Sequence, residues 1–163
     1  MLNPVAQEHD TVQAVIDALA KRQLTLAVAE GDTGGVLLGL LTAVAGSSVV
    51  VRGGVVAYHD DLKRQVLGVG PAIIDTHGAV SAEAAEAMAH GIRRLTDADC
   101  GLATTGIAGP GGATATKPVG LAYVAAVNAA RTIVREHRWP GDRAANRQSS
   151  AQAALRVALE LLE

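Results

Sequence analysis

The stretch Leu24-Thr25-Leu26-Ala27-Val28-Ala29-Glu30-Gly31-Asp32-Thr33-Gly34-Gly35-Val36-Leu37-Leu38-Gly39-Leu40-Leu41 decides the fold. Residues 24–29 are apolar enough for a buried strand. Val36, Leu37, Leu40 and Leu41 recur at helical spacing, which predicts a helix over 33–44 closed by Gly46. The polar run between them is therefore a strand-to-helix turn. At such a turn the first helical N–H groups have no intrahelical partner, and side chains at the strand's end face outward. It is a common position for a nucleophile, but residue 31 is glycine.

Working outward, helical and strand-like segments alternate. Residues 5–22 carry an apolar stripe of Val12, Val15, Ile16 and Leu19. Residues 49–57 are valine-rich and read as a strand, interrupted by Gly53-Gly54, a mark of a bulge or a close backbone approach. Short helices follow over 60–67, ended by Gly68, and over 71–77. Ser81 reads as an N-cap for a helix with Ala85, Met88, Ala89, Ile92 and Leu95 on one face. Residues 100–107 read as a strand and 109–118 as a Gly/Pro/Thr loop. Two late strands, 119–127 and 132–139, flank a hairpin turn at 128–131, and Asp142 opens the last helix. This order predicts one domain over 1–163, a three-layer α/β/α sandwich around a mixed sheet.

Bulk properties narrow the function. The chain has 163 residues, 49% hydrophobic and 18% charged, which excludes a disordered chain. Aromatics are 2%, with no Phe, so the core rests on Ala, Val, Leu and Ile, and base-stacking platforms for single strands are missing. A net charge of −2 without a basic run argues against nucleic-acid binding. The single cysteine, Cys100, sits in an apolar segment and reads as a core thiol. No apolar run approaches the roughly 20 residues of a membrane span. Met1-Leu2-Asn3-Pro4 is not followed by a signal-peptide pattern, so the expectation is a cytoplasmic protein. The histidines at 9, 59, 77, 90 and 137 have no zinc-ligand spacing, and neither metal nor cofactor is expected.

Three polar clusters follow predicted strands and are expected to share one crevice. They are Glu30 to Gly35; Tyr58, His59, Asp60, Asp61 and Lys63; and Thr104-Thr105-Gly106 leading to Gly109-Pro110-Gly111-Gly112 and Lys117-Pro118. Lys63 reads either as a base with a lowered pKa or as a solvated lysine on an amphipathic helix, and spacing alone favours the second. Tyr58 reads either as an oxyanion donor or as a half-buried tyrosine at a strand end. The glycine loop could present N–H groups to an anion but matches neither the phosphate-binding loop nor the dinucleotide fingerprint. Arg143 and Arg147, one helical turn apart, are either a phosphate clamp or solvated arginines.

Eight short stretches carry a resemblance. In chain order they are Ala27-Val28-Ala29-Glu30, Thr33-Gly34-Gly35, Gly54-Val55-Val56-Ala57-Tyr58, Lys63 with Leu67-Gly68-Val69, His77-Gly78-Ala79-Val80-Ser81, Thr105-Gly106-Ile107-Ala108-Gly109-Pro110-Gly111-Gly112, Lys117-Pro118-Val119-Gly120 and Gly141-Asp142-Arg143. Together they resemble the C-terminal domain family of the competence- and damage-inducible protein CinA, which includes nicotinamide mononucleotide deamidases. The resemblance implies an α/β/α domain, a homo-oligomer, no metal, and hydrolysis of nicotinamide mononucleotide to nicotinic acid mononucleotide and ammonia.

The family mechanism uses a serine in a Glu-Ser-X-Thr-Gly-Gly motif, assisted by a lysine and a tyrosine. These helpers map onto Lys63 and Tyr58. Ligand-holding roles map onto Glu30, Asp32, Thr33 and Gly34, onto Thr105, Gly106, Gly109 and Gly111, and onto Arg143. The serine maps onto Gly31, so no acyl-enzyme can form there, and loss of a nucleophile removes most of a rate. Two substitutes are Thr33 and a water activated by Asp32 or Lys63. Asp32 beside Lys63 would favour the ammonium, leaving Asp32 to serve. The two resulting function classes are an amidohydrolase with an impaired serine route and a non-catalytic, nucleotide-binding or regulatory protein.

Overall fold

Helices and strands alternate along the chain as the apolar periodicity requires. The computed structural model describes residues 4–163, with side-chain surroundings from residue 10 onward. The expectation for residues 1–3 lies outside that range. Helix α1 (Pro4–Arg22) leads to β1 (Leu26–Glu30), α2 (Val36–Thr42) and β2 (Val51–Val56). Two short helices, α3 (Asp60–Gln65) and α4 (Pro71–His77), precede α5 (Ala82–Thr96) and β3 (Cys100–Gly106). The chain ends with β4 (Leu121–Val127), β5 (Thr132–Arg138) and α6 (Arg143–Leu161).

The sheet order is β2-β1-β3-β4-β5. β1 is parallel to both β2 and β3, whereas β4 is antiparallel to β3 and β5. The step from β1 to β2 moves one way across the sheet, and the step from β2 to β3 moves back past β1. Right-handed crossovers in opposite directions place their helices on opposite faces. Accordingly, Leu37 and Leu41 of α2 join Leu26, Val28, Leu102 and Val124 with α1 and α6 in one core layer. Met88, Ala89 and Ile92 of α5 meet Ala27, Ala29, Ala103 and Ala125 on the other face. Alternate residues of β1 thus feed two layers, as strand geometry demands. The predicted α/β/α sandwich around a mixed sheet is the observed fold.

Alanines and glycines on the α5 face let backbones approach closely. A Cβ on Gly91 of α5 would lie 2.0 Å from the Leu67 carbonyl oxygen, and one on Gly101 of β3 would lie 2.1 Å from that of Ala89. Both readings of Gly53-Gly54 hold. The β1–β2 register skips Arg52, pairing Leu26 with Val51 and Ala27 with Gly53. A Cβ on Gly54 would then meet Val28 Cγ2 at 2.6 Å.

Several boundaries differ from expectation by one to three residues, among them the start of β4, at Leu121 rather than residue 119. The second helix begins at Val36 rather than residue 33, because Gly34 and Gly35 take φ values of 57° and 100° that continue the turn. Residues Ser47–Val49 form a single 3₁₀ turn, so β2 starts at Val51. β5 ends at Arg138, one residue before Trp139, whose indole N–H donates to Ser150 Oγ on α6 at 3.0 Å. The predicted caps are present: Ser81 Oγ accepts from Ala84 N–H at 3.1 Å, and Asp142 Oδ1 from Ala145 N–H at 2.9 Å. Cys100 is a core residue whose thiol burial pushes up to about 11. Among the described residues no helix is long and apolar enough to cross a membrane.

Gly91→Ala decides between two effects. Helix propensity alone favours alanine by ~1 kcal/mol. The Leu67 carbonyl cannot accommodate the methyl group without parting α5 from the preceding loop, so a net loss of ~1–3 kcal/mol is expected in urea unfolding.

Candidate functional site

β1, β2 and β3 are mutually aligned, so their carboxyl ends open on the same edge of the sheet. Each end leads into one of the three polar clusters. The turn after β1 is built on Glu30, which is 1% exposed. Its carboxylate accepts three backbone N–H groups at the start of α2: Gly35 at 2.9 Å, Leu37 at 3.1 Å and Leu38 at 2.8 Å. An anion at a helix N-terminus meets the unpaired donors and the positive end of the helix dipole. Thr33 Oγ1 pairs with Thr104 Oγ1 of β3 at 2.8 Å, and Arg147 of α6 donates twice to the Thr33 carbonyl, at 3.2 and 2.8 Å.

A cavity of about 230 Å³ opens where the clusters meet. Gly31 and Asp32 line it from the first turn, Tyr58, Asp60 and Lys63 from the second cluster. Thr105, Gly106, Gly109 and Gly111 line it from β3 and the glycine loop, and Arg143 from α6. Glu30, Thr33 and Gly34 are not part of its lining; they hold the turn's shape from behind.

Lys63 overturns the solvated reading. It is 3% exposed, and its Nζ donates to Asp60 Oδ1 at 3.0 Å and to the Tyr58 carbonyl at 3.4 Å. The ammonium's carboxylate partner is thus Asp60 on its own helix, not Asp32. Tyr58, in contrast, is 59% exposed rather than half-buried. Its hydroxyl accepts from Arg143 Nη2 at 2.7 Å, while Arg143 Nη1 donates to the Gly109 carbonyl at 2.8 Å. One guanidinium therefore ties the glycine loop to the second cluster across the cavity mouth. Arg147 is turned to the Thr33 carbonyl, so the two arginines are not presented together as a clamp.

Asp32 is buried, and burial raises its pKa above the ordinary 3.8 against the opposing pull of hydrogen bonds from Ser150, backbone N–H groups and Thr104. Its Oδ1 has no hydrogen-bond partner. Gly106 makes room for it: a Cβ there would meet Asp32 Oδ2 at 2.8 Å. At Gly31, φ lies outside the left-handed region. A Cβ at that position would meet the Thr104 carbonyl oxygen at 3.0 Å and Thr105 Cα at 3.3 Å, a fit that needs the turn to yield by a few tenths of an ångström.

Three further side chains brace the site through backbone carbonyls: Lys117 and Thr105, from the third polar cluster, and Asn146. Lys117 Nζ donates to the His77 carbonyl and, at 2.7 Å, to that of Val80, while Thr105 Oγ1 donates to Ala79 O at 2.7 Å. These bonds fix the wall formed by Ala79 and Val80. Asn146 is buried on α6; its Nδ2 donates to the Ala108 carbonyl at 3.1 Å and its Oδ1 accepts from Gly141 N–H at 3.0 Å. Lys117 belongs to the third polar cluster already expected at the crevice, whereas the only advance sign of Asn146 was its position between two arginines of interest. Among the described residues no group of three or more His, Cys, Asp or Glu side chains could hold a metal ion.

A family model described as the CinA C-terminal domain matches residues 8–162. A putative competence-damage inducible protein of Desulforudis audaxviator is 50% identical over 150 residues, covering 92% of this chain and 36% of that protein. A CinA-like protein of Syntrophus aciditrophicus is 45% identical over 153 residues, with the same 92% and 36% coverage. The chain thus spans just over a third of the length of these relatives. Among solved structures, the competence/damage inducible protein CihA from Agrobacterium tumefaciens superposes with a TM-score of 0.93 at 38% identity, covering 96% of each chain. A CinA superfamily protein from Klebsiella pneumoniae superposes with a TM-score of 0.91 at 32% identity, covering 95% of this chain and 97% of that one.

Two substitutions test the turn. Glu30→Ala strands three amide donors, so a loss of ~2–4 kcal/mol in chemical unfolding is expected. Asp32→Asn acts in the opposite direction. A carboxyl with a raised folded-state pKa leaves stability untouched below the ordinary 3.8 and lowers it as pH climbs above that value. The asparagine variant is expected to match the parent at about pH 3 and to be the more stable of the two at about pH 8; a gap that closes with rising pH contradicts this.

Proposed function

The chain belongs to the CinA C-terminal domain family, and we propose that its cavity binds a pyridine-nucleotide carboxamide of the nicotinamide mononucleotide kind while lacking the serine route of hydrolysis. The observation that carries this reading is the gathering of Lys63, Tyr58, Arg143 and the glycine loop around a cavity whose wall at position 31 is bare main chain. The family resemblance assigns Lys63 and Tyr58 to assisting the reaction, and the glycine loop and Arg143 to holding the ligand. Position 31, which the resemblance assigns to the attacking hydroxyl, has no side chain.

The geometry suits such a ligand. Arg143 uses two of its five N–H donors on Gly109 and Tyr58, leaving others for a phosphate at the mouth. The Lys63–Asp60 pair lies within the lining and is suited to orient a polar amide. A volume of about 230 Å³ matches a ligand held partly within the protein and partly at its rim. A covalent ester at residue 31 has no atom to form on. A non-catalytic binding role is the same reading with turnover removed, and Gly31 is the observation that favours it.

Nicotinamide mononucleotide is expected to raise the melting temperature in a concentration-dependent way, since a ligand that binds only the folded state stabilises it by mass action. Gly31→Ser is expected to keep that shift, to gain ammonia release by ~10-fold or more, and to form an acyl adduct visible by intact-mass spectrometry. Absence of any shift across pyridine nucleotides defeats the reading.

A further inference from the structure

One oxygen of a cavity-lining carboxyl has no hydrogen-bond partner. Among the described residues, three buried side-chain polar atoms lack a hydrogen-bond partner: Asp32 Oδ1, Arg64 Nε and His137 Nε2. Only Asp32 lines the cavity. Leaving a buried polar atom unpaired is unfavourable, and groups kept in that condition concentrate where a protein uses them. The other cavity carboxyl, Asp60, is already occupied by Lys63 Nζ at 3.0 Å. Asp32 also adjoins Gly31, where the cavity wall is main chain and a ligand or water can come closer than any side chain would permit.

We infer that Asp32 is this chain's catalytic base, activating a water for direct attack on a carboxamide bound beside Gly31. The inference rests on the pocket reading above and adds a reaction to it. The water oxygen bonds to the amide carbon as one of its protons passes to the Asp32 carboxylate. The carbonyl π pair moves onto oxygen, where the Tyr58 hydroxyl can donate, because its own oxygen is the acceptor in the bond from Arg143. Collapse of the tetrahedral species re-forms the carbonyl and breaks the C–N bond. The proton on Asp32 goes to the departing nitrogen, so ammonia and a carboxylic acid leave and Asp32 is again a carboxylate.

Burial favours this role, since a carboxylate whose pKa is raised toward the working pH is a stronger base. The charged and titratable groups around it are Glu30 on β1, Tyr58 after β2, the Asp60–Lys63 pair on α3, and Arg143 and Arg147 on α6. None of them is its ion-pair partner.

The test follows ammonia release from nicotinamide mononucleotide by the full chain, alongside the ligand-induced melting shift. The parent is expected to turn over slowly with no covalent adduct, its kcat/KM rising with pH through the ionisation of Asp32. Asp32→Asn, nearly isosteric, is expected to lose ~10²-fold or more in kcat while keeping the melting shift. Asp32→Ser, a smaller side chain, guards against a folding artefact and is expected to behave alike. Asparagine and serine variants as fast as the parent, or an acyl adduct in the parent, overturn the inference. A parent that binds but releases no ammonia also overturns it and leaves the pocket reading standing. A parent that shows no melting shift overturns both.

Discussion

A single buried carboxylate organises the functional edge of this protein. Glu30 ends β1, and its two oxygens take up three of the N–H groups that the short helix α2 cannot satisfy for itself. Burying a charge is strongly unfavourable unless donors surround it, and here the helix N-terminus supplies them. The arrangement requires the chain to double back between residues 31 and 35, which is why Gly34 and Gly35 occupy the left-handed region. Thr104 and Arg147 then grip the same turn from the sheet and from α6. With its ends fixed in this way, the turn holds residues 31 and 32 against the cavity.

Residues 31 and 32 set the chemistry of that wall within the room that their neighbours leave. Gly31 contributes main chain and no functional group. Asp32 contributes a buried carboxyl with one oxygen unpaired, and Gly106 must stay small to admit it. On the proposed reading, the pair combines an absent nucleophile with an acid–base group at adjacent positions, and stability is set against function at Asp32.

The sheet, its two layers and most helix boundaries were legible in the sequence because local apolar periodicity carries them. Val12, Val15, Ile16 and Leu19 mark a buried stripe at helical spacing, and Leu26 to Ala29 alternate between two faces as any central strand must. The positions of the polar clusters followed from strand ends alone. What could not be read were contacts closed across long stretches of chain. Lys63 looks like a surface lysine because its neighbours on α3 are charged, and its burial comes from the cavity wall assembled around it. Lys117, Asn146 and Arg147 bond to carbonyls 37 to 114 residues away, and no local pattern announces a backbone acceptor at that distance. Gly91 reads as a weak spot in a helix until the Leu67 carbonyl is seen beneath it.

The most direct examination of the account is a crystal structure of the protein with nicotinamide mononucleotide bound. The account predicts the carboxamide carbon against the main chain of Gly31, within reach of a water held by Asp32, and the phosphate at the glycine loop and Arg143. A nucleotide seated elsewhere, or with its carboxamide pointing out of the cavity and its ring remote from Gly31, would contradict it.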